Sequence, residues 1–81
     1  MNIYIGNLNY RVRENDLQEV LAEFGTVTSV KIVKDRITGR SKGFGFCDIE
    51  NDDDARRAID SLNGYDLQGR PLVLKEALAR D

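Results

Sequence analysis

Hydrophobic and polar residues alternate in several short segments of the chain, and this alternation predicts β-strands. Successive side chains of a strand point to opposite faces, so apolar residues at every second position mark one buried face. Ile3 and Ile5 follow this rule, as do Leu72 and Leu74 near the other end of the chain. By alternation or by β-branched composition, strands are expected over residues 2–6, 27–33, about 42–50 and about 72–76.

Two other segments repeat apolar residues with the period of an amphipathic helix. The first stripe consists of Leu17, Val20, Leu21 and Phe24. The second stripe consists of Ala55, Ala58, Ile59 and Leu62. The first helix is expected to end at Gly25, and its start is open between Arg13, a poor cap, and Asn15, a good one. Asn51 is expected to cap the second helix, with Asp54 in a capping-box arrangement.

The order of elements is therefore βαββαβ, an α+β fold of two layers. Because each βαβ crossover is right-handed, both helices are expected on one face of a four-stranded antiparallel sheet, and the other face is left bare. The 81 residues are expected to make one domain, with a core over about 2–77 and a frayed C-terminus from Leu78 to Asp81.

The bare face of the sheet is expected to collect the strand positions that alternate with the core positions. These are Asn2, Tyr4, Lys31, Val33, Lys42, Phe44, Phe46, Asp48, Val73 and Lys75. Three aromatic residues and three lysines thus converge on one surface. Exposed aromatic rings beside cations form a platform on which nucleic-acid bases can stack.

The segment 42–46 carries the most information about this surface. Phe44 and Phe46 share a strand face with Lys42 and Asp48, whereas two glycines, at positions 43 and 45, share the opposite face. Burying the phenylalanines would bury both charges without partners, which is costly, so the rings are expected to face water. The glycines are expected to let a helix approach the back of the strand closely.

Charge is unevenly distributed along the chain, although the net charge is only −2. Residues 31–42 hold five cations and one acid, whereas residues 48–54 hold five acids and no cation. The five cations are Lys31, Lys34, Arg36, Arg40 and Lys42. A protein of negative net charge can still present a positive edge to phosphate groups. Charge runs of this length are also common on solvated surfaces, so charge alone leaves both interpretations open.

The composition argues against an enzyme and against a metal protein. The chain has no histidine and one cysteine, so it lacks a Ser–His or Cys–His pair, a thiolate–imidazole metal site and an internal disulfide. No cofactor is expected. Cys47 is expected to be a small buried apolar residue, and Tyr10 and Tyr65 to be structural residues of loops. With no long apolar segment and no signal peptide, the expected location is cytoplasmic, away from membranes.

Two segments resemble the signatures of the RNA recognition motif family. Residues 42–49, Lys-Gly-Phe-Gly-Phe-Cys-Asp-Ile, agree with five of the seven specified positions of the longer signature. The departures, Cys47 and Ile49, lie on the helix-facing side. Residues 3–8, Ile-Tyr-Ile-Gly-Asn-Leu, resemble the shorter signature. The single-module layout is similar to small bacterial members of the family and to glycine-rich RNA-binding proteins.

The resemblance covers about residues 2–77 and implies a ferredoxin-like sheet of order 4-1-3-2, with the two signature strands adjacent in its centre. It also implies that the aromatic residues Tyr4, Phe44 and Phe46 contact bases. We therefore expect the protein to bind single-stranded RNA in post-transcriptional regulation, although single-stranded DNA also fits such a surface. The alternative is a protein-interaction module that uses an acidic helix face.

Charged residues around the rings are expected to complete this binding surface. The expected phosphate contacts are Lys31, Arg36, Arg40, Lys42 and Lys75. Asp48 has two interpretations: it accepts hydrogen bonds from a base edge, or it is an acid that repels phosphate or pairs with a nearby lysine.

Overall fold

A computed structural model describes residues 1–77 of the chain. The expected fraying of Leu78 to Asp81 lies outside the described residues. The helices are α1 (Glu14–Leu21) and α2 (Asp52–Leu62). The strands are β1 (Asn2–Gly6), β2 (Val27–Lys34), β3 (Ser41–Ile49), β4 (Asp66–Leu67), β5 (Arg70–Pro71) and β6 (Val73–Glu76).

The main sheet has four antiparallel strands in the order β2-β3-β1-β6. Because β6 is the fourth long strand along the chain, this is the expected order 4-1-3-2 read from the other edge. The two signature strands, β1 and β3, pair in the centre, and their register places Ile3 opposite Cys47 and Tyr4 opposite Phe46. The expected two-layer βαββαβ architecture is therefore confirmed.

The core lies between one face of this sheet and the two helices. Within residues 1–77 it is a single cluster of fourteen buried residues: Ile3, Ile5, Leu8, Val12, Leu17, Leu21, Ile32, Cys47, Ile49, Ala55, Ala58, Leu62, Leu72 and Leu74. Strand and helix residues share this cluster, so both helices cover the same face. The prediction that Cys47 is a buried apolar residue is confirmed, since its exposed fraction is 0%.

The first helix is shorter than its apolar stripe suggests. It ends at Leu21, and Phe24 follows in a turn where it packs, partly buried, against the core. The open question of its start is settled in favour of Arg13, which is the N-cap residue. The poor cap is tolerated because the Asp16 carboxylate accepts a hydrogen bond of 2.9 Å from the backbone N–H of Arg13.

The second helix begins as expected, at the residue after Asn51. The Asn51 side chain accepts a hydrogen bond of 3.0 Å from the backbone N–H of Asp54. The other half of the expected capping box is absent between these two residues. The Asp54 carboxylate instead forms an ion pair with Arg57, one turn further along the helix.

The expectation that the signature glycines let a helix approach is wrong. A Cβ atom added to Gly45 would collide with the backbone of β2, at the carbonyl oxygen of Lys31. A Cβ added to Gly43 would lie 3.4 Å from the carbonyl oxygen of Leu8 and 3.9 Å from the ring of Tyr10, and Gly43 has a φ of +84°. The close neighbours of these glycines are therefore a strand and a loop.

A small hairpin precedes the last long strand and was not expected from the sequence. Asp66–Leu67 pairs with Arg70–Pro71 around a loop of two residues, Gln68 and Gly69. Both loop residues have positive φ angles, 52° and 88°, which is the conformation of a type I′ turn. The predicted last strand therefore starts one residue later, at Val73, while Leu72 remains in the core.

We expect the stability of this fold to fall at high pH through Cys47. Burial, and secondly the charge of Asp48, raises the pKa of its thiol from 9.0 to about 12. Between these two values the folded state retains a proton that the unfolded state has lost, so the free energy of unfolding falls as pH rises, by up to about 1.4 kcal/mol per pH unit. Urea unfolding at pH 9, 10 and 11 measures this fall.

The matched control is Cys47→Val, which keeps an apolar side chain at the site and removes the ionisable group. Lysines and tyrosines titrate in both proteins, so the relevant quantity is the difference between the two curves. That difference should grow steadily above pH 9. Parallel curves for the two proteins would contradict the prediction.

Candidate functional site

Four side chains form a row across the face of the sheet that the helices leave uncovered. Tyr4 of β1 lies opposite Phe46 on one side and opposite Lys75 on the other. Phe46 in turn lies opposite Lys31 of β2. Directly opposed residues of antiparallel strands project from the same face, so the row is Lys75, Tyr4, Phe46, Lys31. Two aromatic rings are thus flanked by a cation at each edge of the sheet.

Phe44 completes a cluster of three rings, each of which is half-buried. The ring centroids are 5.9 Å apart for Tyr4 and Phe44, 5.8 Å for Tyr4 and Phe46, and 6.2 Å for Phe44 and Phe46. Tyr4 and Phe44 are stacked with an interplanar angle of 29°, whereas Phe46 meets both edge-on. The Nζ of Lys75 lies 5.2 Å from the centroid of the Tyr4 ring, within cation–π distance.

Gly6 determines how the Tyr4 ring lies. A Cβ atom added to Gly6 would fall 2.6 Å from the Tyr4 hydroxyl oxygen and 2.8 and 2.9 Å from two ring carbons. The ring therefore extends along β1 over Gly6, in space that any side chain at position 6 would occupy. This position accounts for its stacking on Phe44.

The end of the face around Asn2 and Asp48 is organised by an ion pair. These two residues lie opposite each other in the sheet. The Asp48 carboxylate is 3.2 Å from the Met1 α-amino nitrogen and accepts a hydrogen bond of 3.1 Å from the Thr28 hydroxyl. Among residues 1–77, its ion-pair partner is thus the Met1 ammonium and not a lysine.

The Met1 ammonium itself lies among three acceptors. It donates to the Ile49 carbonyl oxygen at 2.7 Å and is 3.5 Å from the Asp52 carboxylate. Burial lowers the pKa of this amine, but the hydrogen bond and charge of Asp48, together with Asp52, outweigh burial and leave that pKa raised. The amine therefore stays charged beside Asp48 at neutral pH.

The two valines expected on this face belong to the two edge strands of the sheet. Val73 of β6 is opposite Gly6 and is 44% exposed. Val33 of β2 is half-buried next to an irregularity in the β2–β3 pairing, between Ile32 and Lys34. The strand register and the ring contacts bring Asn2, Tyr4, Lys31, Phe44, Phe46, Asp48, Val73 and Lys75 together on one face.

The remaining expected phosphate ligands lie outside the four-residue row. Lys42 is exposed near the start of β3, and Arg36 and Arg40 are exposed in the loop before it. Asp35 organises this loop, since its carboxylate accepts hydrogen bonds from the backbone N–H groups of Ile37 and Thr38 at 2.8 and 3.0 Å. These cations therefore extend the positive charge past one end of the ring cluster.

Sequence analysis missed several residues at this end. Tyr10 and Tyr65, expected to be structural residues of loops, are 69% and 46% exposed. A small concavity of about 300 Å³ beside the rings is lined by Tyr4, Asn7, Leu8, Tyr10, Lys42, Gly43, Phe44 and Arg70. The Arg70 guanidinium donates a hydrogen bond of 2.7 Å to the Asn7 side chain, which in turn donates 2.7 Å to the Pro71 carbonyl oxygen.

Two further classes of site were sought within the described part of the chain. No group of three or more acidic, histidine or cysteine side chains in residues 1–77 is placed to hold a metal ion. No helix in the same range has the length and apolar character that crossing a membrane requires.

Comparison with known proteins identifies the family. The model of the RNA recognition motif matches residues 3–73, and the chain belongs to this family. The protein RbpA of Synechocystis sp. is 46% identical over 81 residues, which is all of this chain and 80% of RbpA.

Solved structures agree with this assignment. The crystal structure of RNA-binding protein PG1 superposes with a TM-score of 0.96 at 58% identity, over all of this chain and 98% of that one. The structure of the Rna15 RRM with bound RNA (GU) has a TM-score of 0.86 at 30% identity, over 99% of this chain and 85% of that one. Both comparisons extend over nearly the whole molecule, so the sheet and its bare face are part of the likeness.

We expect Gly6→Ala to displace the Tyr4 ring without unfolding the protein. Gly6 lies in a regular strand and its φ is not positive, so the backbone accepts alanine, but the new methyl group needs the space of the Tyr4 ring. The NMR signals of the Phe44 ring protons should shift as the stacking is lost, with a melting temperature within a few degrees of the parent protein.

The control is the same substitution in a Tyr4→Ala background, where no ring competes with the methyl group. There, Gly6→Ala should leave the Phe44 ring signals nearly unchanged. Equal shifts in both backgrounds would mean that the methyl group acts on Phe44 through the backbone and not through Tyr4.

Proposed function

We propose that this protein binds single-stranded RNA on the bare face of its sheet, with Tyr4, Phe44 and Phe46 as the base-stacking residues. The observation that carries the proposal is the cluster of three mutually contacting, half-buried rings on the face without helices. Rings in contact with one another hold their positions before a ligand arrives, which lowers the ordering cost of binding.

Stacking supplies a large share of the required free energy but not all of it. A base stacked on an aromatic side chain is worth about 1–3 kcal/mol, so three stacks contribute roughly 3–9 kcal/mol before ordering costs. A micromolar complex needs about 8 kcal/mol. The remainder must come from contacts with phosphate groups and base edges.

Cations at both edges of the ring cluster are placed for those phosphate contacts. Lys31 and Lys75 are the two ends of the row, and Lys42, Arg40 and Arg36 lie beyond one end of the ring cluster. Affinity should therefore fall as salt rises. Asp48 is a weaker candidate for accepting hydrogen bonds from a base edge, because its carboxylate already contacts the Met1 ammonium and the Thr28 hydroxyl.

An open sheet favours single strands, because the bases of a duplex are stacked on each other and unavailable to protein rings. The role we assign is therefore recognition of unpaired RNA in post-transcriptional regulation. Single-stranded DNA offers the same stacking faces and lacks only the 2′-hydroxyl groups. Titrations with RNA and DNA of matched sequence measure how much those hydroxyls contribute.

The helix layer is a weaker candidate for a binding surface. Within residues 1–77, the exposed large hydrophobic residues are Tyr10, Ile37, Tyr65 and Val73, and none belongs to a helix. Protein interfaces usually depend on buried aromatic or aliphatic anchors, which this layer does not offer. All three of its N-terminal aspartates are also paired, Asp52 with the Met1 ammonium, Asp53 with Arg56 and Asp54 with Arg57.

The test of the proposal is the variant Phe44→Ala/Phe46→Ala. Removing two stacks should weaken binding to random-sequence single-stranded RNA by about 2–6 kcal/mol, measured by fluorescence anisotropy. The fold should survive, because neither ring belongs to the buried cluster under the helices. Circular dichroism and the melting temperature check this directly.

Tyr65→Ala is the matched control, since it removes an exposed ring that is not part of the cluster. Its RNA affinity should equal that of the parent protein. Undiminished binding by a folded Phe44→Ala/Phe46→Ala variant would move the site elsewhere on the molecule. Loss of the fold in that variant would mean that the rings are structural.

A further inference from the structure

Unpaired cations are concentrated at one end of the molecule. Arg56 and Arg57 on α2 form ion pairs with aspartates, and Arg70 is hydrogen-bonded to Asn7. By contrast, Arg11, Arg13, Lys34 and Arg40 form no ion pair within residues 1–77, and all four are exposed. Charges without an internal partner are free to attract an external anion.

These four cations line one groove. It lies between the loop that joins β1 to α1 and the loop that joins β2 to β3, and its volume is about 1190 Å³. Arg11 and Arg13 come from the first loop, whereas Lys34 is the last residue of β2 and Arg40 belongs to the second loop, so cations lie on both walls. This arrangement suits a negatively charged chain that runs along the groove.

The groove is continuous with the ring platform. Tyr10 and Lys42 line both the groove and the small concavity that contains Tyr4 and Phe44. Tyr10 is 69% exposed, and its ring is near Gly43 of the aromatic strand. A strand that leaves the platform past Phe44 therefore meets an exposed aromatic ring at the entrance of the groove.

The two acids of the groove are held by contacts within the protein and are outnumbered by its cations. Asp35 accepts two backbone hydrogen bonds, first from Thr38 and then from Ile37, which together with the charge of Lys42 hold its pKa below the usual value. Glu14 is directed to the backbone N–H of Ile32 at 3.5 Å. Counting Lys42, five cations face two acids, so the groove is positive in a protein that is negative overall.

We infer that this groove is a second subsite, which binds the phosphate backbone of the nucleotides that follow those stacked on the rings, with Tyr10 as the side chain at the junction. The inference rests on the proposed function and extends it. The platform holds about two or three bases. A longer single strand gains phosphate contacts with Arg11 and Lys34 that a shorter one does not reach.

The experiment compares two lengths of RNA and one charge variant. Random-sequence pools of about three and about eight nucleotides are titrated into the parent protein and into Arg11→Gln/Lys34→Gln, from 50 to 200 mM salt. Both side chains are exposed and form no ion pair within residues 1–77, so the fold should be preserved. Binding of the short pool is followed by NMR titration and binding of the long pool by fluorescence anisotropy.

The parent protein should bind the long pool more tightly and with a steeper dependence on salt. Loss of two phosphate contacts should lower the slope of log affinity against log salt concentration by about 1.4. The fall in affinity between 50 and 200 mM salt should therefore be about sevenfold smaller for the variant than for the parent protein. The short pool should bind the variant as it binds the parent protein. Tyr10→Ala should likewise weaken binding of the long pool only.

The charge-matched control is Arg56→Gln/Arg57→Gln, which removes two cations from the opposite layer. This control should change the RNA affinity and its salt dependence much less than Arg11→Gln/Lys34→Gln does. Equal losses in the two double variants, or an equal loss for short and long pools, would show a general charge effect and overturn the second subsite. Failure of both pools to bind the parent protein would instead overturn the proposed function itself.

Discussion

The register between β1 and β3 is the constraint on which both the core and the candidate site depend. It sets Ile3 against Cys47 on the helix side and Tyr4 against Phe46 on the other side. A shift of one residue would exchange the faces of the moving strand, so that a ring would enter the core and an isoleucine would leave it. Because one register sets both faces, packing in the core also holds the three rings in position. The rings, in contrast, can be truncated without creating a cavity in the core.

The distribution of ion pairs reconciles a net charge of −2 with a polyanionic ligand. Acids at the start of α2 are favoured there by the helix dipole, and two of them are paired with Arg56 and Arg57. The arginines of α2 are therefore paired within the helix layer, whereas the cations at the loop end of the sheet form no ion pair within residues 1–77. A negative layer on one side and free cations on the other orient an approaching RNA toward the sheet.

The sequence predicted the strands and their faces well because one strict alternation decides both, as at residues 42–49. The sequence-based predictions were less accurate where contacts between distant segments determine the local structure. Phe44 and Gly45 belong to the same signature, but alternation cannot reveal that the neighbour of Gly45 is the backbone of β2. The turn at Gln68 and Gly69 was missed because glutamine is not the usual first residue of a type I′ turn. The loop residue Tyr10 lies outside any periodic segment, so only its neighbours in space give it a role.

Two glycines of the signatures contribute to the platform in different ways. Gly6 leaves room for the Tyr4 ring to lie along the strand, on the open side of the sheet. Gly45 leaves room for the backbone of β2 at Lys31, and a side chain there would push β2 away from β3. Since Lys31 lies opposite Phe46, that displacement would also remove a cation from the end of the row. The absence of a side chain at these two positions is therefore as much a determinant of the surface as the rings themselves.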